Sequence, residues 1–125
     1  MVSLVLISHS PKVVEGLKEL VAEMADKAPV FIAGGNADGG LGSNYELIKD
    51  VLQQAYTSDG VIILYDLGSS AMTAELVLEE MDDTEKIKIV NAPLVEGAIV
   101  AAVEINSGAN FEDVLSVLEE IEMIK

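Results

Sequence analysis

The feature that most constrains the fold of this chain is a regular alternation of short apolar runs with longer segments of helical periodicity. The runs cover residues 2–8, 30–33, 61–66 and 87–90, and a segment with apolar residues at helical spacing follows each of them. Strands that alternate with helices in this way pair in parallel. The sequence therefore predicts an α/β fold: an open, doubly wound, mainly parallel sheet with the flavodoxin-like strand order 2-1-3-4 and helices on both faces.

The size and composition of the chain fit one domain over residues 1–125. A chain of 125 residues with 50% hydrophobic content can bury one core of its own. The longest apolar stretches have the length of strands, and the N-terminus has no basic segment followed by an apolar one. We therefore expect no membrane segment and a cytoplasmic location.

The first two predicted helices begin at recognisable caps. Ser10 suits the N-cap of the first helix with Pro11 at its first position, and a capping-box pattern from Ser43 to Glu46 opens the second. The residues expected on the buried face of the first helix are Val13, Val14, Leu17, Leu20, Val21 and Met24. Those expected from the second helix are Leu47, Ile48, Val51 and Leu52.

Three further helices are expected over residues 70–81, over residues 95–105 and after Asn110. Gly108 should end the fourth helix, and Asn110 should cap the fifth. The inner face of the fifth helix should carry Val114, Leu115, Leu118 and Ile121. The methionines at helical positions, which we expect to fill the core, are Met24, Met72, Met81 and Met123.

His9 is the only histidine of the chain, and it stands where the first strand gives way to the first helix. In the predicted strand order the topological switch lies between strands one and three, and doubly wound sheets bind ligands there, at the carboxyl ends of the strands. Strand three ends at Asp66. The fold should therefore bring Asp66 beside His9.

An imidazole at such a junction can act as a nucleophile, a general base, a metal ligand or a phosphoryl carrier, and it can also be a satisfied polar side chain. A carboxylate that accepts the Nδ1 proton leaves the Nε2 lone pair free and stabilises the cation formed when Nε2 bonds to phosphorus. We predict this orienting role for Asp66, with capping of the following turn as the alternative. No metal site is expected, because one histidine with carboxylates lacks the usual ligand set.

Two loops near this junction contain residues suited to binding. The loop over residues 34–42 lacks both the Walker ending and the dinucleotide spacing, so we interpret it as a docking loop with Gly35, Asp38 and Gly39 as its main positions. Hydroxyl and amide groups at helix N-termini suit a phosphoryl group. The residues expected to contact it are Ser10, Gly68, Ser69 and Ser70.

The formal net charge of −15 comes from 22 acidic residues against 7 lysines, with no arginine. Such a chain repels nucleic acid and anionic lipid, so neither is an expected partner. A phosphoryl group on this chain has to be stabilised by backbone amides, helix N-termini or cations of a partner, because no arginine fork exists. The absence of cysteine excludes disulfides and thiolate chemistry.

Three segments, at residues 6–10 (LISHS), 65–72 (YDLGSSAM) and 92–98 (APLVEGA), together resemble the phosphotransferase subunit of phosphoenolpyruvate-dependent dihydroxyacetone kinase. That subunit is related to the IIA domains of mannose-type sugar transporters. The resemblance covers nearly the whole chain, and three motifs in the same order are much more specific than one.

The resemblance implies that His9 is a phosphoryl acceptor. In that family the histidine-containing phosphocarrier protein phosphorylates this histidine, which passes the group to ADP held in a nucleotide-binding kinase subunit. ADP and ATP then belong to the partner, and no cofactor is expected on this chain. The resemblance further implies a homodimer.

Two other interpretations remain open. A IIA domain of a mannose-type transporter would use the same phosphohistidine and pass the phosphoryl group to a IIB domain. A non-catalytic, receiver-like signalling module would instead be phosphorylated on Asp66. Receivers carry an acidic pair after strand one, where this chain has Ser8 and His9.

Overall fold

The computed structural model describes residues 1–121, and it confirms the alternation of strands and helices. The strands are β1 (Ser3–Ser8), β2 (Val30–Gly34), β3 (Val61–Tyr65) and β4 (Ile87–Ile89). The helices are α1 (Pro11–Met24), α2 (Tyr45–Ala55), α3 (Gly68–Glu79), α4 (Leu94–Asn106) and α5 (Phe111–Glu119). The strands pair in parallel in the predicted order β2-β1-β3-β4.

The central strands are buried on both faces, which explains why β3 and the four residues between the two terminal serines of β1 are apolar. Leu4 and Leu6 of β1 pack into one core with buried residues of α1, α4 and α5. Val5 and Ile7 pack into a second core with buried residues of α2 and α3. The helices therefore cover both faces of the sheet, as predicted. Within residues 1–121, no helix has the length and apolarity needed to cross a bilayer.

Two of the predicted helix caps are present. The Ser10 hydroxyl accepts a hydrogen bond from Val13 N at 3.4 Å, and Pro11 is the first residue of α1. The Asn110 side chain accepts from Asp113 N at 2.9 Å and caps α5. These polar side chains satisfy backbone N–H groups that have no acceptor inside the helix.

The start of α2 corrects the sequence prediction by one residue. Asn44 is the N-cap, and its Oδ1 accepts from Leu47 N at 3.2 Å. Ser43, which the capping-box pattern favoured, instead has its hydroxyl buried without a hydrogen-bond partner. Both residue types are good caps, so their identity alone did not decide between them. α3 likewise begins two residues earlier than predicted, at Gly68.

The prediction that the whole apolar side of α1 is buried is wrong, because the outer part of that side is exposed. The residues that are buried are Val14, Leu17 and Val21, whereas those left nearly half exposed are Val13, Leu20 and Met24. α1 packs against β1, β2 and α4, which cover one arc of the helix. The buried stripe is therefore narrower than the apolar stripe in the sequence.

The methionines differ from expectation in the same way. Met72 is 66% exposed on the outer face of α3, and Met24 is 48% exposed at the end of α1. Met81 is partly buried against the second core. Met123 lies outside the described residues. Helical spacing placed these residues on helices, but it did not show which faces the neighbouring elements cover.

Gly34 lets α1 approach the sheet closely beside the turn that carries His9. A Cβ added at Gly34 would lie 2.6 Å from Val14 Cγ2, 2.7 Å from Pro11 Cα and 2.9 Å from Ser10 O. Two of these three atoms belong to the backbone and cannot rotate away. The end of β2 therefore needs a residue without a Cβ.

We expect Gly34→Ala to lower the free energy of unfolding by about 1–3 kcal/mol, the usual cost of overpacking. Gly16→Ala is the matched control, because a Cβ at this exposed position of α1 meets nothing within 4 Å. It should raise stability by roughly 1 kcal/mol, since alanine favours helix. Urea denaturation measures both. A Gly34→Ala protein as stable as wild type would contradict the close approach.

Candidate functional site

The carboxyl edge of the sheet brings His9 and Asp66 together. β1 and β3 pair in parallel up to Ile7 and Tyr65, so the chain leaves both strands side by side. Asp66 N–H donates to Ile7 O at 3.2 Å. His9 N–H donates to Asp66 Oδ2 at 3.0 Å, across 57 positions of sequence. Strand register therefore determines which residues meet at the switch point.

The His9 ring has a polar partner at each nitrogen. Nδ1 lies 3.0 Å from Ser70 Oγ and 3.4 Å from Asp66 Oδ1. Nε2 lies 2.7 Å from Ser69 Oγ. Since 3.4 Å is long for an N–H···O hydrogen bond, the Ser70 hydroxyl is the closer partner of Nδ1, and it donates in turn to Asp66 Oδ1 at 3.3 Å. The ring is 23% exposed, so it remains open to the crevice.

Of the two neutral tautomers of His9, these partners favour the one that is protonated at Nδ1. Nδ1–H then donates to Ser70 Oγ and faces the carboxylate, while the Ser69 hydroxyl donates to the Nε2 lone pair. The other tautomer would point the Nδ1 lone pair at a carboxylate oxygen 3.4 Å away. Coulomb repulsion makes that arrangement unfavourable. Nε2 is therefore the nitrogen whose lone pair faces the crevice.

Both oxygens of Asp66 are held by hydrogen bonds. Oδ2 accepts from Ser8 Oγ at 2.8 Å and from His9 N at 3.0 Å, and Oδ1 accepts from Leu67 N at 2.7 Å. Partial burial by itself raises the pKa of this carboxyl, but the bonds from Ser8 Oγ and from the backbone N–H groups of His9 and Leu67 more than offset it. The pKa of Asp66 therefore lies below its ordinary value. Asp66 is an anion at neutral pH.

Two helices begin beside the ring. α1 starts two residues after His9, and α3 starts at Gly68, two residues after Asp66. Gly68 and Ser69 lie in the first turn of α3, where N–H groups lack an intrahelical acceptor and carry partial positive charge. These groups favour an anion at Nε2, in a chain that has no arginine to do so.

The loop between β2 and α2 reaches His9 through its backbone. Gly42 N–H donates to His9 O at 2.9 Å, and Gly35 N–H donates to the end of β1 at 3.1 Å. Asp38 and Gly39 make hydrogen bonds to other residues of the loop. Of the three predicted docking positions, Gly35 therefore contacts the site backbone, while Asp38 and Gly39 shape the loop itself.

Ser8 is a site residue to which the sequence analysis gave no role. It is 2% exposed, and its hydroxyl donates to Asp66 while accepting from Ser10 N at 3.0 Å. The available signal was a serine at the end of a strand that is otherwise mostly apolar. Ser10, predicted to contact a phosphoryl group, uses its hydroxyl as the cap of α1. Among residues 1–121, no group of three or more His, Asp or Glu side chains is placed to hold a metal ion.

Large apolar side chains are exposed on α3 and on the loops that follow β2 and β3. Leu67 is 55% exposed beside Asp66, and Met72 and Leu76 are 66% and 55% exposed on α3. Ser69, Met72 and Leu76 follow the spacing i, i+3, i+7, which places them along one face of that helix. Leu41, in the β2–α2 loop, is 75% exposed. We call Leu41, Leu67, Met72 and Leu76 the apolar rim.

The fold and the site together describe a class of protein: a doubly wound domain that presents one histidine at its topological switch point. A comparison with family models identifies such a class. The EIIA-man model, described as the PTS system fructose IIA component, matches residues 3–115. The chain belongs to this family of phosphotransferase-system IIA components, and the resemblance drawn from its three motifs is confirmed.

The chain is also similar to phosphoryl donor subunits of dihydroxyacetone kinase. It is 40% identical to the subunit DhaM of PEP-dependent dihydroxyacetone kinase 2 from Listeria innocua, over 97% of this chain and 99% of the relative. It is 35% identical to the phosphotransferase subunit DhaM from Lactococcus lactis, over 94% of each chain. In structure it is similar to EF1359, a crystallised protein of unknown function, with a TM-score of 0.86, 28% identity and coverage of 98% and 96%.

The lowered pKa of Asp66 predicts how acid affects stability. Because the folded-state pKa lies below the unfolded one, the ionised carboxylate contributes stability above about pH 4, which is lost as the pH falls through the folded-state pKa. Asp66→Asn, which cannot titrate there, should lose less stability than wild type between about pH 5 and pH 2. Thermal unfolding across this range measures the difference. Asp50→Asn, at an exposed position of α2, controls for the lost charge. If the stability of Asp66→Asn fell with pH in parallel with that of the wild type, the prediction would be contradicted.

Proposed function

We propose that this chain is a phosphoryl relay. His9 accepts a phosphoryl group from the histidine-containing phosphocarrier protein and passes it to ADP held in the nucleotide-binding subunit of dihydroxyacetone kinase. The observation that carries the proposal is the His9 ring, with Nδ1 turned to Ser70 and the Asp66 carboxylate and Nε2 turned to the crevice. The relatives named as phosphoryl donor subunits support this direction of transfer.

The transfer itself needs a nucleophile, its orientation and charge stabilisation. The Nε2 lone pair of His9 attacks phosphorus, the bond from phosphorus to the donor's histidine nitrogen breaks, and that nitrogen keeps the electron pair. Nδ1–H stays on the ring, whose positive charge is stabilised by Asp66. In the second step a terminal oxygen of ADP attacks phosphorus, and Nε2 leaves with its lone pair.

The Ser69 hydroxyl has to move during the first step. In the structure it lies 2.7 Å from Nε2, where the phosphorus atom would bond. Rotation of this exposed side chain frees the lone pair and lets the hydroxyl donate to a phosphoryl oxygen. The N–H groups of Gly68 and Ser69 complete the set of anion contacts that we propose, while Ser70 stays on Nδ1.

The partners must supply the cations. The chain carries 22 acidic residues against 7 lysines and no arginine, so a basic face on each partner complements it. In the proposed relay ADP is held by the kinase subunit. We propose that the phosphocarrier protein and the kinase subunit dock on the apolar rim and on the loop with Gly35, Asp38 and Gly39. The homodimer stays a prediction of the resemblance, and the cytoplasmic location stays a prediction from the pattern of apolar stretches in the sequence.

The alternative of a mannose-type IIA domain shares every step at His9 and differs only in its acceptor, a IIB domain. The alternative of a receiver-like module is less well supported. Asp66 Oδ1 already accepts from Leu67 N at 2.7 Å, and Oδ2 accepts from Ser8 Oγ at 2.8 Å. An attacking Asp66 would have to give up these contacts.

We expect phosphoenolpyruvate, enzyme I and the phosphocarrier protein to add one acid-labile phosphoryl group to the wild-type chain, seen by intact mass. His9→Gln, which keeps a polar side chain at the site, should stay unlabelled because it has no nucleophilic nitrogen. The labelled chain should then lose its phosphoryl group to an ADP-loaded kinase subunit and not to a IIB domain. Label that survives in His9→Gln would overturn the proposal, and transfer to the IIB domain alone would favour the transporter role.

If partners dock on the apolar rim, a charge placed there should weaken binding and leave the chemical step unchanged. Met72→Glu places a charge where an apolar contact is proposed, so KM for the phosphocarrier protein should rise about tenfold with little change in kcat. Leu20→Glu is the matched control, because Leu20 is 45% exposed on α1, outside the rim. Steady-state labelling at varied carrier concentration gives both constants. Equal KM values for the two variants would exclude Met72 from the docking surface.

A further inference from the structure

Ser8 occupies a position where the strand pattern calls for an apolar side chain. Side chains alternate along β1, so Ser8 follows Leu4 and Leu6 on the face that packs against α1, α4 and α5. It is 2% exposed. A hydroxyl buried in a core destabilises the fold unless it is hydrogen bonded. The contacts of this hydroxyl therefore indicate what it does.

The Ser8 hydroxyl joins the two chain segments that form the site. It donates to Asp66 Oδ2 at 2.8 Å, after β3, and it accepts from Ser10 N at 3.0 Å, at the start of α1. Capping of α1 does not require it, because the Ser10 side chain already accepts from Val13 N. The bond to Asp66 is the contact that local structure leaves unexplained.

We propose that Ser8 is a positioning residue for His9 that acts through the Asp66 carboxylate. Ser8 Oγ–H and His9 N–H together hold Oδ2, which leaves Oδ1 turned toward the His9 ring. Without the Ser8 hydroxyl, Oδ2 keeps only one of its two hydrogen bonds, the one from His9 N. The carboxylate then holds its orientation less firmly, and Asp66 binds a proton more readily.

The expected effect of Ser8 on kcat rests on the proposed relay. Its expected effect on the titration of Asp66 is independent of any activity. The test compares Ser8→Ala with Ser8→Thr, which keeps a hydroxyl. Ser3→Ala is the matched control, because Ser3 is 4% exposed at the other end of the same strand. Nuclear magnetic resonance of the labelled Asp66 carboxyl follows its titration, and labelling by the phosphocarrier protein gives kcat and KM.

In Ser8→Ala we expect the titration midpoint of Asp66 to rise and kcat for His9 phosphorylation to fall about tenfold, with KM unchanged. Ser8→Thr should restore both values toward wild type, and Ser3→Ala should alter neither. An unchanged Asp66 midpoint in Ser8→Ala, or the same loss of kcat in Ser3→Ala, would overturn the proposal. If Ser8→Thr is too large to fold, the comparison of the two alanine variants still decides. If the wild type takes no label, the relay fails, and the Asp66 titration alone tests the Ser8 contact.

Discussion

The Asp66 carboxylate is the interaction on which the geometry of the site depends. It sits just after β3 and accepts hydrogen bonds from Ser8 and His9, at the end of β1, and from Leu67, at the start of the α3 turn. One side chain thereby fixes the turn after each of the two central strands. The burial that this requires raises the pKa of Asp66, and the same hydrogen bonds reverse that effect. The fold itself therefore keeps the carboxylate charged and in place.

A net charge of −15 opposes the binding of the anionic phosphoryl group that we propose for His9. The N-termini of two helices oppose this effect near His9, because α1 and α3 both begin beside it and helix N-termini carry partial positive charge. The proposed relay assigns the rest of the electrostatic stabilisation to partner proteins. In that proposal, the acidic surface attracts basic partners, and the partners bring the arginine side chains that this chain lacks.

Strand and helix order could be predicted from the sequence, whereas which helix faces are covered could not. Val13 and Leu20 have the spacing of core residues on α1, yet each is 45% exposed. Met72 has the same kind of spacing on α3, and it stands exposed next to the site. Periodicity shows that a helix has an apolar side. How much of that side is buried depends on how many neighbouring elements contact the helix. The exposed Met72 side chain belongs to the docking surface that we propose.

The sequence by itself determined the parallel sheet, its strand order, and the position of His9 and Asp66 at the ends of adjacent strands. Alternation of strands and helices has few solutions, and the carboxyl ends of parallel strands lie at one edge. Only the tertiary structure decided that Ser70 Oγ, at 3.0 Å, lies closer to His9 Nδ1 than Asp66 Oδ1 does. It also decided that the Ser8 hydroxyl donates to the other carboxylate oxygen, Oδ2. These contacts depend on the residue at which α3 begins and on the register of β1 with β3. A shift of one residue in either would move each hydroxyl by more than the length of a hydrogen bond.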